Sequence, residues 1–149
     1  MDKFEQIKEK IKRVLVDEFG ALLDEADSTF IYECEDVQIR LSLIRHDPSN
    51  EEGRVFVEFC ALVTTLSEVS NNLKSWIAYR GSDYLIGSFV LQPEDGETSV
   101  LFRYRMLADD IDPSEIYVAS YALAETVNIS APEFSDGSDW DGVSLPQAD

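Results

Sequence analysis

The sequence has few residues of the kinds that build catalytic centres. Its 149 residues include one histidine, His46, and two cysteines, Cys34 and Cys60. The cysteines lie in separate apolar segments and form no CxxC pair, so we expect two reduced, buried thiols. His46 stands in a polar loop beside Asp47 and Pro48, which favours a surface histidine over the base of a Cys-His pair. Because an enzyme of this size normally shows a converging cluster of His, Cys or metal ligands, we expect no enzyme activity.

Basic residues and long apolar runs are also scarce. Lysine and arginine together number 12 against 30 acidic residues, which gives a net charge of −18. This charge repels a phosphate backbone rather than neutralising it, so we expect no nucleic acid as a partner. No apolar run approaches the roughly 18 residues of a membrane-spanning helix, and the first residues mix lysine with acidic residues, unlike a secretory signal. We therefore expect a cytoplasmic protein with no membrane partner.

Motifs for nucleotides, acid–base catalysis and metals are missing or incomplete. The chain contains no GxGxxG, GxxxxGKS or GxxxxGKT pattern. Glu33, Glu35 and Asp36 fall at the end of a predicted strand and in a turn, where acidic residues are common without any catalytic role. The segment Asp136 to Gly142 has carboxylates spaced a little like a calcium loop, but it lacks the terminal glutamate and flanking helices of an EF-hand. We expect no cofactor and no metal.

Length and composition indicate one domain with one core. Apolar residues make up 44% of the chain, which is enough to fill a core at this length. We predict a single domain over residues 1–130. From Ser130 onward the sequence is rich in Ser, Asp, Gly and Pro, so we expect residues 131–149 to form an acidic, disordered tail.

Hydrophobic periodicity predicts an α+β domain with the element order α-β-β-β-α-β-β-α. The predicted helices lie near residues 3–19, 68–80 and 113–127, and the five predicted strands cover residues 29–34, 37–44, 54–66, 84–91 and 98–107. Turns are predicted at Glu35-Asp36 and at Pro93-Glu94-Asp95-Gly96. The strand over residues 54–66 carries apolar side chains on both faces, so we expect a helix, a subunit or a ligand to cover its second face.

The second half of the chain carries a family resemblance. Residues 87–96 have the sequence Gly-Ser-Phe-Val-Leu-Gln-Pro-Glu-Asp-Gly, and a strand from Val100 and a helix beginning at Asp112-Pro113 follow. This pattern and the order of elements resemble the type III secretion chaperones and the related YbjN-like bacterial proteins over most of residues 2–128. Gln92 departs from the pattern, because an acidic residue is common there, and the acidic tail lies outside the shared region.

The resemblance implies a homodimer without a cofactor. For the secretion chaperones, the resemblance implies that an extended segment of another protein is held across the sheet and first helix. For the YbjN-like branch, the resemblance implies the fold but hardly any defined biochemical activity. We favour the YbjN-like branch. By position in the resembling fold, Leu73, Trp76 and Ile77 are the predicted dimer contacts. Trp76 and Tyr79 suit an exposed helix face at a dimer contact, although core packing explains them equally well.

Three arginines on predicted strands are the candidate partner-binding residues. Arg40, Arg103 and Arg105 would form a basic strip in an acidic protein, which suits an acidic peptide segment. Pairing of these arginines with acidic residues on neighbouring strands is the alternative.

Three classes of function follow from these patterns. A non-enzymatic protein-binding homodimer is the main hypothesis, because it has the resemblance and the two-sided apolar strand. An acidic mimic that occupies a basic surface of a partner rests on the net charge alone. A small enzyme with an unrecognised site is the third class.

Overall fold

Alternation of apolar and polar side chains organises the protein around one antiparallel sheet. The computed structural model describes residues 2–50, 53–80 and 86–134. In chain order, its elements are α1 (Lys3–Phe19), β1 (Asp24–Ala26), β2 (Thr29–Cys34), β3 (Val37–Arg45), β4 (Val55–Leu66), α2 (Asn71–Arg80), β5 (Ser88–Glu94), β6 (Glu97–Leu107) and α3 (Pro113–Phe134). The strands lie in the order β1-β2-β3-β4-β6-β5, and each neighbouring pair is antiparallel. The predicted α+β class is confirmed.

The sheet has one more strand than we predicted. Asp24–Ala26 pairs with β2 through the partners Asp24–Ile31 and Ala26–Thr29. All three residues of β1 are exposed. Since β1 is held by backbone pairing and buries no side chain, it has no hydrophobic alternation that a sequence reading could detect.

The two predicted hairpin turns are confirmed, and their backbone explains their composition. Glu35 and Asp36 have φ values of 51° and 66°, and Asp95 and Gly96 have φ values of 45° and 84°. Two consecutive positive φ values mark the type I′ turn, whose twist matches that of the paired strands. These turns set the register of β2 with β3 and of β5 with β6.

The three helices of the described residues pack on the same face of the sheet. The odd-numbered residues 37–43 of β3 and 55–63 of β4 are buried beneath them. α1 packs against β2 and α3, and α3 crosses β3, β4 and β6. The hydroxyls of Tyr32 and Ser120 lie 2.6 Å apart inside this layer, which satisfies both buried polar groups and ties α3 to β2.

The helix ends follow local signals. Asp2 caps α1 by accepting a hydrogen bond from the Glu5 amide at 2.9 Å. At α3, the Ser114 amide donates to Asp112, while the Asp112 amide donates to the Glu115 carboxylate, which completes a capping box. α2 begins three residues later than predicted, at Asn71.

Gly87 is required by a close approach between β5 and β6. Its φ is 80°, and a Cβ added there would lie 2.6 Å from the Arg103 carbonyl oxygen and 2.8 Å from the Phe102 ring. A side chain at this position would clash with the neighbouring strand. This contact accounts for the glycine that opens the hairpin pattern in the sequence.

The final helix extends beyond the predicted end of the domain. α3 continues to Phe134, and both Ser130 and Phe134 are fully buried. The Phe134 ring lies 5.1 Å from Phe89 and 5.9 Å from Trp76, measured between ring centroids. The boundary at residue 130 was therefore wrong by four residues, because one aromatic side chain anchors a segment whose composition is polar. The rest of the predicted tail lies outside the described residues.

Phe134→Ala should destabilise the protein by about 3–5 kcal/mol, because it leaves a cavity between α2, α3 and β5. Glu133→Ala is the matched control, since Glu133 is exposed on the same turn, and its effect should be within about 0.5 kcal/mol. Urea unfolding of both variants measures the difference. Equal stability of the two variants would show that the Phe134 ring is not packed.

Candidate functional site

The face of the sheet opposite the helices is the candidate site. We call it the open face; it consists of the even-numbered residues 38–44 of β3 and 56–62 of β4 and the odd-numbered residues 101–107 of β6. Leu62 is 52% exposed and Leu107 is 40% exposed on this face. We expected a helix, a subunit or a ligand to cover the second face of β4, and the described helices do not cover it, because each packs on the other side of the sheet. Cover by a subunit or a ligand stays a prediction.

The open face brings the three predicted arginines together. The pairing of β3 with β4 places Arg40 beside Cys60, and the pairing of β4 with β6 places Cys60 beside Arg103. Arg105 lies two residues further along β6, opposite Glu58. The arginines therefore occupy neighbouring positions on one surface, although they come from strands far apart in the sequence.

Glu58 shares its carboxylate between two of these arginines. Its Oε1 atom lies 3.0 Å from Nε of Arg105 and 3.4 Å from Nε of Arg103. The Glu58 side chain is only 13% exposed, so these contacts offset its loss of hydration. The predicted alternative of cross-strand pairing is thus confirmed for Arg103 and Arg105. Three arginines and one glutamate still leave the middle of the open face positive.

Arg40 differs from the other two arginines. It is exposed, its positive charge favours the thiolate form of the neighbouring Cys60, and it forms no ion pair with any carboxylate of the described residues. Arg40 is therefore the cation of the open face whose charge is available to a ligand.

Cys60 lies at the centre of the arginines but is not an activated nucleophile. The residue is 4% exposed, and burial raises the pKa of its thiol, while the charges of Arg40 and Arg103 oppose that shift. A neutral thiol is a poor nucleophile. Both cysteines are free and buried, as predicted.

Apolar side chains flank the arginines at both ends of the open face. At one end, Leu62 and Leu101 contribute to a cavity of about 440 Å³ that Arg40 also lines. At the other end, Ile44 and Phe56 line a second cavity of about 370 Å³, together with Arg105. The open face is therefore amphipathic, with a basic centre and apolar ends.

The predicted histidine and acidic residues do not build a catalytic site. His46 is exposed, and its ring centroid lies 5.9 Å from that of Phe56. Glu35 and Asp36 form the turn between β2 and β3, and Glu33 is exposed on β2. Within residues 2–50, 53–80 and 86–134, no cluster of three or more His, Cys, Asp or Glu side chains could hold a metal ion. The segment from Asp136 to Gly142 lies outside those ranges.

The structure corrects one of the predicted dimer contacts. Leu73 is fully buried in the core of the monomer, so it has no surface to offer a partner. Trp76 and Ile77 are partly buried against the same core, and the Trp76 ring lies 5.6 Å from that of Phe89. Tyr79, by contrast, is 82% exposed. Packing in the core of the monomer, the alternative interpretation for Trp76, therefore accounts for the buried part of this side chain.

Glu58, Leu62 and Leu107 belong to the open face but were not predicted as site residues. The alternation of side-chain direction along β4 and β6 could have indicated their location, since it places all three residues on the same face as the arginines. Their grouping depends on the register between strands that no local pattern specifies.

No family model matches the chain, and no curated protein matches it. None of the described helices is long and apolar enough to cross a membrane. The likeness to YbjN-like proteins and type III secretion chaperones therefore stays a prediction.

Thiol reactivity tests the chemistry assigned to the cysteines. Burial, aided by the nearby charges of Glu35 and Glu18, raises the pKa of Cys34 to about 11 from an ordinary 9.0. Its thiolate fraction at pH 8 should then be about a hundredfold lower than in the unfolded chain. We expect iodoacetamide to modify Cys34 correspondingly slowly in the folded protein, with a rate that rises towards pH 11.

Mass spectrometry of the digested protein gives the rate for each cysteine, and the same chain in urea is the control. Modification of folded Cys34 at the unfolded rate would contradict the assignment. We expect Cys60 to be slowed as well, because burial raises its pKa in the same direction.

Proposed function

We propose that this protein is a non-catalytic binding domain whose open face holds an extended segment of another protein. The observation that carries the proposal is the grouping of Arg40, Arg103 and Arg105 between two exposed apolar ends on a sheet face that no described helix covers. Apolar side chains grouped on one uncovered face beside a cluster of charges are typical of interaction sites, whereas single scattered leucines are not.

The distribution of charge on the protein favours one class of bound segment. The chain as a whole has a net charge of −18, so an acidic segment is repelled by most of its surface. The middle of the open face is the exception, because Arg40, Arg103 and Arg105 surround a single glutamate there, and the acidic residues of β1 and β2 on the same side of the sheet lie towards its edge. An acidic segment with apolar side chains on either side matches both the basic centre and the apolar ends.

The family resemblance supports the same proposal. The observed order of three helices and six strands agrees with the predicted YbjN-like or chaperone-like pattern apart from the short strand β1. The proposal includes a cytoplasmic location and a protein partner, with no cofactor and no nucleic acid. The acidic-mimic hypothesis is less favoured, because a basic partner would have to avoid the open face.

We further propose that the protein is a homodimer that does not use the open face. Two copies joined there would bring six arginines together, which costs electrostatic energy. The exposed side of α2, where Tyr79 lies beside the partly buried Trp76 and Ile77, is the proposed contact.

Sedimentation equilibrium tests the dimer. The wild type should show about twice the monomer mass of 16.8 kDa at tens of micromolar, and Tyr79→Glu should shift it towards the monomer with an unchanged melting temperature. Lys74→Glu, an exposed change on the same helix, is the control for added negative charge. A wild-type mass near that of the monomer throughout this range would contradict the dimer.

Selection from a displayed library of random peptides tests the segment. Peptides that bind should combine Asp or Glu with Leu, Val or Phe, and Arg103→Glu should weaken their binding about tenfold or more, because it reverses the charge at the basic centre. Arg13→Glu, an exposed change on α1, makes the same change in charge away from the open face and should have little effect. Equal loss of binding in both variants, or selection of basic peptides, would contradict the proposal.

A further inference from the structure

The sheet opens into a cleft where β4 separates from β3. The register between them ends at the pair Ile39–Ala61, although β3 begins two residues earlier at Val37 and β4 continues to Leu66. An irregularity between Leu62 and Thr64 redirects β4 at this point. The cavity of about 440 Å³ lies in the gap, with Val127 and Asn128 of α3 on its far side.

The last backbone hydrogen bonds between β3 and β4 lie at the edge of this cleft. His46 donates its amide hydrogen to the Arg54 carbonyl, whereas Leu43 donates to Ser28, so the backbone groups of even-numbered β3 residues point towards β4 and those of odd-numbered residues towards β2. By this alternation, the pairing of Ile39 with Ala61 depends on backbone hydrogen bonds of the flanking residues, and the one beside the cleft joins Gln38 to Leu62. The register ends there, so the two strands part beyond Gln38 and Leu62 and leave the cleft open.

The side chains of the cleft combine apolar walls with one cation. Ile31, Leu62 and Leu101 line it near the open face, and Val37 and Val127 line it deeper. Arg40 stands at the rim and has no carboxylate partner among the described residues. A pocket of this size, mostly apolar with a few polar groups, is typical of small-ligand sites.

We propose that this cleft binds a single carboxylate group carried on an apolar body. Arg40 pairs with the carboxylate, and the apolar walls contact the body. Asp36 also lines the cleft, and together with the net charge of −18 it disfavours ligands with a second negative charge. This site goes beyond the proposed binding of a protein segment and does not require it.

Two sources could supply this chemistry: a free aliphatic acid, or the carboxyl terminus of a peptide that ends in apolar residues. Octanoate and acetyl-Gly-Leu-Leu with a free carboxylate are the respective probes. Octan-1-ol and the amide of the same peptide are the matched neutral controls.

Titration of the full-length chain, followed by two-dimensional amide NMR, tests the site. At least one of the two acids should shift the signals of Gln38, Leu62 and Asn128 saturably, and its neutral control should bind about tenfold more weakly or less. Saturation by octanoate alone identifies a free acid, and saturation by the peptide alone identifies a carboxyl terminus.

Arg40→Gln should weaken binding of the acid about tenfold or more, whereas Arg13→Gln, on the exposed side of α1, should leave it unchanged. Leu62→Glu, at an exposed position, supplies a carboxylate beside Arg40 and should also prevent binding. The inference is overturned if neither acid saturates by about 10 mM, if the neutral controls bind equally well, or if Arg40→Gln binds like the wild type. Octanoate binding without any binding of displayed peptides would keep this site and remove the proposed function.

Discussion

One-sided burial of the sheet is the constraint on which the rest of the structure depends. Because successive side chains of a strand point to opposite faces, the apolar odd-numbered residues of β3 and β4 require a cover. α3 supplies it, and α1 packs beside α3 on β2. The even-numbered residues then have to lie on the opposite face. That face is exposed as a consequence of how the core is filled, and its composition decides what it can bind.

The distribution of charge gives this exposed face its character. The chain carries 30 acidic residues, yet the centre of the open face has three arginines and one glutamate. Glu58 is largely buried beneath Arg103 and Arg105, so it holds their guanidinium groups in place. Arg40 does not pair with Glu58 and lines the cleft where β4 separates from β3. One surface thus has a basic centre, where we propose that an acidic segment binds, and, at its end, a smaller opening lined by Arg40.

The features that could be predicted from the sequence are those with local causes. The helix cap at Asp2, the capping box at Asp112 and the turn at Glu35-Asp36 each depend on residues within three or four positions of one another. The arginine grouping was also predicted, because alternation assigns each arginine to a face.

The features that were missed depend on contacts between distant segments. β1 forms by backbone pairing alone, and Phe134 is anchored by Phe89 and Trp76, which lie more than forty residues earlier in the chain. The burial of Leu73 follows from the same packing. The cleft exists because β3 and β4 part after Ala61, and no property of either strand alone specifies where they part.

Exposure of leucine methyl groups in solution tests the central claim, that the open face is a free surface in the unbound protein and the covered surface in the complex. A soluble gadolinium chelate should strongly relax the methyl signals of Leu62 and Leu107 and leave those of Leu41 and Leu43 nearly unaffected. Adding a selected acidic peptide should protect Leu62 and Leu107 while Leu23, exposed away from the open face, stays accessible. Protection of Leu62 and Leu107 without any peptide, or no change when peptide binds, would contradict the account.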